Sequence, residues 1–299
     1  MFTNKININP FSLAVRIKRP LILDGAMGSM LQQAGIKSSG SLWMSYANLK
    51  YPEKVFKIHK QYIDAGSDII TTNTFRTNPA AIESYNIKIN FKKFVNESVK
   101  IAVKAASGLP VFVAGSNAPA EDCYKIKRDL YKKKLEANHK EHISLLMESG
   151  CHFILNETQS HFDEIKIICN YCSRNEIPYV ISFFVDEKLN LLSGEKLSEV
   201  IKYTLDFNPL AIGINCIKEK TFFSYFNMSS FRFNWGAYLN CGSGGFTDDN
   251  ISCGVSPVQY KLSVEKMLKK EPSFIGSCCG STPEHIRMIK ELLDGKIRN

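Results

Sequence analysis

The sequence predicts a single-domain α/β protein in which strands and helices alternate and close into a (β/α)8 barrel, the TIM-barrel fold. Three observations support this prediction. Short apolar segments rich in Ile and Val recur eight times along the 299 residues. Helical patterns separate most of these segments, and polar or thiol side chains follow several of them. Because the segments are apolar at successive positions, they are typical of parallel strands that helices cover.

The predicted strands and helices are short and evenly spaced. The strands cover residues 20–24, 68–73, 110–115, 152–157, 179–184, 210–215, 233–240 and 273–278. The helices cover residues 52–66, 91–108, 132–150, 161–172, 198–205, 256–270 and 282–295. Residues 1–19 are expected to form an N-terminal extension to a barrel domain of residues 20–299. An open, doubly wound sheet is the alternative, but no G-x-G-x-x-G sequence follows the first strand and no P-loop is present, so nothing local indicates nucleotide binding.

Composition and charge exclude several classes of protein. The chain is 44% hydrophobic and 22% charged, which is typical of a globular protein and argues against disorder. The net charge of +9 is spread along the chain, so neither nucleic acid nor a membrane is an expected partner. No apolar run is long enough to span a membrane, and no secretory signal is visible. We therefore expect a cytoplasmic protein, monomeric or weakly homo-oligomeric. A mitochondrial presequence is the open alternative, because Arg16, Lys18 and Arg19 occur there without an acid.

The nine cysteines point to a metal site rather than to a disulfide framework, because their number is odd and no export signal precedes them. Cys278 and Cys279 are adjacent at a predicted strand-to-helix turn, and Cys216 ends the strand two positions earlier in the barrel. Three thiolates leave one tetrahedral position open, as in a catalytic zinc site, and sulfur ligands favour zinc over calcium or magnesium. The alternative is that the adjacent pair are two small buried residues.

The other cysteines carry less information. Cys169 and Cys172 form a C-x-x-C pair, which would suit redox or zinc chemistry. Since they continue the apolar face of a predicted helix, we expect buried packing instead. Cys241 follows Asn240 and is expected near the barrel mouth, as a spare thiol close to the site.

A zinc ion held by three thiolates predicts a particular chemistry. Such a centre is a poor source of hydroxide but binds a fourth thiol well, and it lowers the pKa of that thiol. Transfer of an electrophilic carbon to a substrate sulfur is therefore expected, with no catalytic residue beyond the metal-bound thiolate. Asp24 and Glu157 are candidates to bind the ammonium of a thiol amino acid, and backbone N–H groups of residues 24–29 are candidates for its carboxylate. The alternatives are a helix N-cap for Asp24 and an ion pair for Glu157.

Five segments resemble the signatures of the homocysteine S-methyltransferase family, which includes S-methylmethionine and betaine enzymes and the homocysteine-binding module of cobalamin-dependent methionine synthase. They are LILDGAMGSMLQ, PEKVFKIHKQYIDAGSDIITTNTF, LNET, GINC and FIGSCCGSTPEHIRMI, between about residues 20 and 290. The resemblance implies a zinc-dependent barrel. It implies that the zinc ligands are Cys216, Cys278 and Cys279, and that the homocysteine-binding residues are Asp24, Gly25, Glu157 and Asn240. Family members often have Asn-Ala-Gly or Asn-Ser-Gly where this chain has Asn-Cys-Gly.

The same resemblance bears on the methyl donor. The chain has no room for folate or cobalamin modules, so a small onium donor is expected, S-methylmethionine or S-adenosylmethionine being favoured. Trp43 matches a tryptophan that contacts the donor's cationic head in the betaine enzyme, and packing in the core is the alternative role for it. Arg76 stands where that enzyme has an aromatic residue, and it would repel a quaternary cation but hold a donor carboxylate. Betaine, dimethylsulfoniopropionate and methylfolate are the alternative donors. A non-enzymatic barrel that binds zinc or homocysteine is the remaining alternative.

Overall fold

Eight short strands form one parallel sheet in the computed structural model, which describes residues 9–85, 88–243 and 251–297. The strands are β1 Leu21–Ile22, β2 Ile69–Thr71, β3 Phe112–Asn117, β4 Phe153–Gln159, β5 Tyr179–Phe183, β6 Ala211–Asn215, β7 Trp235–Leu239 and β8 Phe274–Ser277. From β2 to β8, each strand pairs in parallel with the next along the chain, and β8 pairs with β1. A parallel bridge between Leu23 and Ile69 joins β1 to β2 and closes the sheet. The predicted single-domain (β/α)8 barrel is confirmed.

Helices follow the strands and cover the outside of the barrel. They are α1 Pro10–Ile17, α2 Met27–Gln33, α3 Ala47–Lys50, α4 Pro52–Asp64, α5 Pro79–Tyr85, α6 Phe91–Ala106, α7 Lys132–Glu148, α8 Phe162–Arg174, α9 Leu197–Leu205, α10 Glu219–Met228, α11 Pro257–Met267 and α12 Pro283–Ile297. Short 3-10 helices cover Gly40–Tyr46 and Leu268–Lys270, and Gly242–Ser243 pairs with Ser252–Cys253 in an antiparallel hairpin. All seven predicted helices are present. The prediction did not include α1, α2, α3, α5 or α10.

The first strand is much shorter than predicted. The side chain of Asp68 supplements the hydrogen bonding between β1 and the start of β2. Only Leu21 and Ile22 are regular strand. Asp68 accepts a hydrogen bond from the backbone N of Ile22 at 2.8 Å and two from the guanidinium of Arg19 at 2.6 and 2.9 Å. The Arg19 side chain therefore holds the end of the N-terminal extension against the point where the barrel closes.

The N-terminal end of the barrel is filled by apolar side chains. Phe11 of α1 packs against Phe153 and Phe274, with ring centroids 6.4 and 5.8 Å away. Gly236 makes room for this layer, because a Cβ atom there would lie 2.4 Å from the Phe274 ring. Part of the predicted N-terminal extension thus closes one end, while residues 1–8 of it lie outside the described chain. The opposite, C-terminal end is the one left open for chemistry.

A second apolar layer lies between the barrel and its helices. Cys169 and Cys172 of α8 are completely buried in this layer, which confirms that the C-x-x-C pair is packing rather than a site. No helix in the described ranges is both long and apolar enough to cross a membrane.

Candidate metal and substrate site

Three cysteine sulfurs meet where β6 and β8 end. Cys216 follows β6 with a left-handed backbone, φ 56°, and Cys278 and Cys279 follow β8. The Cys279 sulfur lies 3.4 Å from that of Cys216 and 4.0 Å from that of Cys278, and all three lie within 4.8 Å of one another. In this structure a disulfide joins Cys216 to Cys278 across 62 residues, which the sequence did not lead us to expect. The same close approach brings all three sulfurs to one point.

This donor set fits a zinc ion once the disulfide is reduced. Two thiolates bound tetrahedrally to one zinc at about 2.3 Å lie roughly 3.8 Å apart, close to both distances involving Cys279. Burial raises the pKa of the Cys279 thiol to about 11, so its thiolate needs a neighbouring cation at neutral pH. Among the described residues, no other group of three His, Cys, Asp or Glu side chains converges in this way. Three sulfurs and one open tetrahedral position suit the binding of a fourth thiol.

Backbone contacts hold the turn that carries Cys278 and Cys279. The backbone N of Cys278 donates to the Leu239 carbonyl at 2.9 Å, and the carbonyl of Cys279 accepts from the Cys241 backbone N at 2.8 Å. Gly280 follows with φ 80°, and a Cβ there would lie 2.5 Å from Gly242. The Cys241 side chain itself is fully buried, 3.7 Å from the Leu239 carbonyl, and does not line the cavity. Cys241 therefore supports the turn through its backbone.

The sulfurs line a cavity of about 600 Å³ at the C-terminal end of the barrel. The predicted site residues all line this one cavity: Asp24, Gly25, Trp43, Arg76, Glu157, Cys216, Asn240, Cys278 and Cys279. They come from positions that span most of the sequence, and the closed barrel brings them together. The side-chain oxygen of Asn240 accepts from the backbone N of Gly242 at 2.6 Å, so this amide orders the loop after β7.

Two carboxyl groups stand beside the sulfurs, and burial raises the pKa of both. Asp24 accepts hydrogen bonds from the backbone N and the hydroxyl of Thr71, at 2.9 and 3.0 Å. Its pKa is raised well above the usual value, chiefly by burial. Glu157 accepts a short hydrogen bond from the Ser116 hydroxyl, and burial raises the pKa of Glu157 to about 7. A bound ammonium would favour the ionised form of each group.

Neither alternative role for these carboxylates is observed. The N-cap of α2 is Ala26 and not Asp24. Within the described ranges no Lys or Arg side chain pairs with Glu157, whose partner is Ser116. The backbone N of Ala26, a candidate for binding a substrate carboxylate, donates instead to the Ser281 hydroxyl at 3.1 Å. Gly25 allows this contact, since a Cβ there would lie 2.7 Å from the same hydroxyl.

An aromatic and cationic wall faces the cavity on another side. Trp43 has a strained backbone, φ 44° and ψ −125°, and packs edge to face against Phe75 with ring centroids 6.1 Å apart. The Arg76 guanidinium lies 5.3 Å from the Phe75 ring centre. It donates to the carbonyls of Pro119 and Glu121, and one of its nitrogens lies 3.8 Å from the Asp122 carboxylate. Some of the N–H groups of Arg76 are therefore occupied by hydrogen bonds to the loop after β3.

Sequence reasoning missed the partners of the carboxylates and the loop after β3. Thr71 and Ser116 were identifiable, because each is a polar residue near the end of a predicted strand. The loop 118–131 has no periodic signal, although Tyr124 from it lines the cavity. This loop is held by Arg128, which forms ion pairs with Glu164 at 2.6 Å and with Asp163.

The fold is a barrel whose open end brings three cysteine sulfurs and two buried carboxyl groups into one cavity. A family model described as homocysteine S-methyltransferase matches residues 21–293, so the chain belongs to the homocysteine S-methyltransferase family. The resemblance noted in the sequence is thereby confirmed.

Relatives of known name align over most of the chain. Homocysteine S-methyltransferase from Escherichia coli (strain K12) is 23% identical over 307 residues, covering 94% of this chain and 98% of the relative. Selenocysteine Se-methyltransferase from Brassica oleracea var. italica is 24% identical, covering 91% and 88%. The crystal structure of the metallated form of the Escherichia coli homocysteine methyltransferase MmuM superposes with a TM-score of 0.78 at 23% identity, covering 93% of this chain and 98% of that one. That likeness shows the shared fold.

Proposed function

We propose that the protein is a zinc-dependent enzyme that transfers a methyl group from a small onium donor to the thiol of L-homocysteine, forming methionine. The observation that carries this proposal is the convergence of three cysteine sulfurs within 4.8 Å in the cavity that also holds Asp24 and Glu157. Membership of the family supports homocysteine as the acceptor.

The residues of the cavity divide the work between metal, acceptor and donor. Cys216, Cys278 and Cys279 would hold zinc, which when bound lowers the pKa of the acceptor thiol so that its sulfur is a thiolate at neutral pH. Glu157 and Asp24 bind the ammonium of the acceptor. Ser116 and Thr71 orient these two carboxylates through the hydrogen bonds described above. The proton of a metal-bound thiol would pass to solvent, so no side chain of the cavity would have to act as a general base.

The donor-binding side is assigned to the aromatic and cationic wall. Trp43 offers an aromatic face to a positively charged methyl-bearing centre. Arg76 lines the same cavity and would attract a donor carboxylate while disfavouring a quaternary ammonium. S-Methylmethionine and S-adenosylmethionine are favoured over betaine because residues 77–81, Thr-Asn-Pro-Ala-Ala, resemble the S-methylmethionine branch of the family. Rate enhancement comes largely from holding the acceptor sulfur and the donor methyl in line.

A donor panel tests the proposal. Reduced, zinc-loaded protein is mixed with homocysteine and, at equal concentration, with S-methylmethionine, S-adenosylmethionine, betaine, dimethylsulfoniopropionate or methylfolate. We expect methionine with the sulfonium donors and loss of turnover when zinc is removed by a chelator. Turnover with methylfolate or betaine alone would contradict the donor assignment. Tight zinc binding without turnover on any donor would favour a non-enzymatic zinc- or homocysteine-binding role.

A selenol is the second candidate acceptor. The observation that favours it is the match to a selenocysteine Se-methyltransferase at 24% identity. Comparing kcat/KM for homocysteine and selenocysteine with one donor distinguishes the two acceptors. A higher value for selenocysteine would replace homocysteine as the proposed acceptor.

A further inference from the structure

The side chain of Asn215 joins two strand ends that are not neighbours in the sheet. Asn215 is the last residue of β6, is fully buried, and its side-chain oxygen accepts from the backbone N of Thr158 at 2.9 Å. Its amide nitrogen donates to the Thr158 hydroxyl, also at 2.9 Å. Because β5 lies between β4 and β6, this pair of hydrogen bonds crosses the end of an intervening strand. We call it the Asn215–Thr158 tie.

Each end of the tie is next to a residue of the site. Thr158 follows Glu157 and lies where the pairing of β4 with β5 shifts register, between Asn156 and Gln159. Asn215 precedes Cys216. Thr158 and Cys216 have φ values of 57° and 56°, a conformation that costs a residue with a Cβ roughly 1–2 kcal/mol and persists only where its surroundings impose it. The Asn215–Thr158 tie is one of the contacts that impose this conformation. It involves Thr158 directly, and it holds Asn215, the residue before Cys216.

We propose that Asn215 is a positioning residue that sets the spacing between the Glu157 carboxylate and the sulfur of Cys216. This inference rests on the proposed function. In the proposed function the acceptor is bound at two points: Glu157 binds its ammonium, and the metal that Cys216 helps to hold binds its sulfur. The distance between these two points determines how many methylene groups the acceptor can have between its ammonium-bearing carbon and its sulfur. The tie therefore favours homocysteine over cysteine, which is one methylene shorter.

One substitution removes the whole tie, a second removes half of it, and two others serve as comparisons. Asn215→Ala removes both hydrogen bonds, and Thr158→Val removes the one to the hydroxyl. Thr158→Ser keeps the hydroxyl and is the conservative rescue. Asn156→Ala is the matched control, because Asn156 is equally buried and hydrogen-bonded to Asn117 and the Val180 carbonyl, but it has no contact with the tie.

The zinc dissociation constant, measured by chelator competition without substrates, and the KM values of reduced protein are the readouts. Loss of a contact that orients a metal ligand typically weakens metal binding about ten- to hundredfold, and we expect this for Asn215→Ala. We also expect a higher KM for homocysteine, a donor KM within about twofold of wild type, and a smaller preference for homocysteine over cysteine. Thr158→Val should show the same changes in zinc affinity and homocysteine KM as Asn215→Ala, but smaller ones. Thr158→Ser should resemble the wild type.

Each result bears on one proposal. Unchanged zinc affinity and homocysteine KM in Asn215→Ala would overturn the inference while leaving the proposed function intact. Equal losses in Asn215→Ala and Asn156→Ala would overturn it too, because they would show general loosening of β4 and not a specific contact. A wild-type protein that neither retains zinc nor methylates homocysteine contradicts the proposed function, and the inference falls with it.

Discussion

The ring of Trp43 lies directly against Gly28, so that a Cβ atom on Gly28 would come 2.1 Å from a ring carbon. Gly28 lies in α2, and both Gly28 and Trp43 line the cavity. The absence of a side chain at residue 28 is therefore what allows the indole to take this place, in spite of the strained backbone of Trp43.

Replacing Gly28 with Ala should displace the Trp43 ring and weaken donor binding. Since a contact between a cation and an aromatic face contributes about 0.5–2 kcal/mol, the donor KM should rise by roughly two- to thirtyfold. The homocysteine KM and the zinc content should stay at wild-type values. Gly295→Ala is the control, because nothing lies within 4 Å of a Cβ there. Steady-state kinetics with both substrates varied would measure the donor KM and the homocysteine KM separately. An unchanged donor KM would contradict the role of Trp43.

Removal of any one site cysteine should abolish zinc retention and turnover. Cys216→Ala, Cys278→Ala and Cys279→Ala each leave two sulfurs, which cannot form the three-thiolate centre. Zinc content after dialysis, measured with a colorimetric chelator under reducing conditions, checks this. Cys172→Ala is the control, since Cys172 is fully buried but lies away from the cavity. It should lower the free energy of unfolding and keep the metal. A Cys279→Ala variant with full turnover would refute the proposed centre.

Binding of an amino acid at Glu157 should depend on pH near neutrality. Because the pKa of Glu157 is raised to about 7, the carboxyl is mostly neutral below that pH and cannot pair with an ammonium. Methionine, the proposed product, has no thiol to titrate and is a suitable probe. Its dissociation constant, measured by calorimetry, should be about tenfold weaker at pH 6 than at pH 8. Glu157→Gln should bind more weakly and should lose the part of the pH dependence centred near pH 7, while the contribution of Asp24 remains. A flat wild-type profile would show that Glu157 does not bind the ammonium.

Two buried histidines should make the protein less stable as the pH falls. Burial lowers the pKa of His59 and of His142 to about 3, so both are neutral in the folded chain but gain a proton below about pH 6.5 when unfolded. Their contribution to the free energy of unfolding should therefore decrease as the pH falls from about 6.5 toward 3, whereas protonation of Glu157 and Asp24, whose pKa values are raised, acts in the opposite direction. Urea unfolding of the wild type and of His59→Leu at pH 7 and pH 5 isolates the histidine contribution, and an equal pH dependence in the two proteins would contradict it.

His59 and His142 should differ when each is replaced by leucine. Neither ring nitrogen of His59 has a hydrogen-bond partner among the described residues, whereas His142 is bonded to Thr77 and Asn117 at 2.9 Å each. His59→Leu should raise the free energy of unfolding by about 1–2 kcal/mol, because it removes unpaired buried polar atoms. His142→Leu should lower it, because it leaves its partners unpaired. A destabilised His59→Leu would indicate an unseen polar partner such as a buried water.

The clustering of the site cysteines was predictable from the sequence for a physical reason. Parallel strands of a barrel all end at the same rim, so thiols at the ends of two strands lie on the same face of the barrel. Cys216 and Cys278 satisfy that condition although 62 residues separate them. Asp24 and Glu157 follow apolar segments in the same way. Strand periodicity and residue type are local properties, which is why they can be recognised along the chain.

Contacts between strands that are not neighbours cannot be recognised from a local sequence pattern. The Asn215–Thr158 tie crosses β5, and the left-handed backbones of Thr158, Cys216 and Trp43 occur at residues that do not favour them. Likewise, the carbonyls that Arg76 contacts belong to a loop without periodicity. The order of polar and apolar residues was enough to specify a barrel, its catalytic rim and the thiols on it. Only the tertiary structure determines the distance between the Glu157 carboxylate and the Cys216 sulfur, the orientation of Glu157 and the position of the Trp43 ring. Each of these depends on atoms that come into contact across the closed barrel.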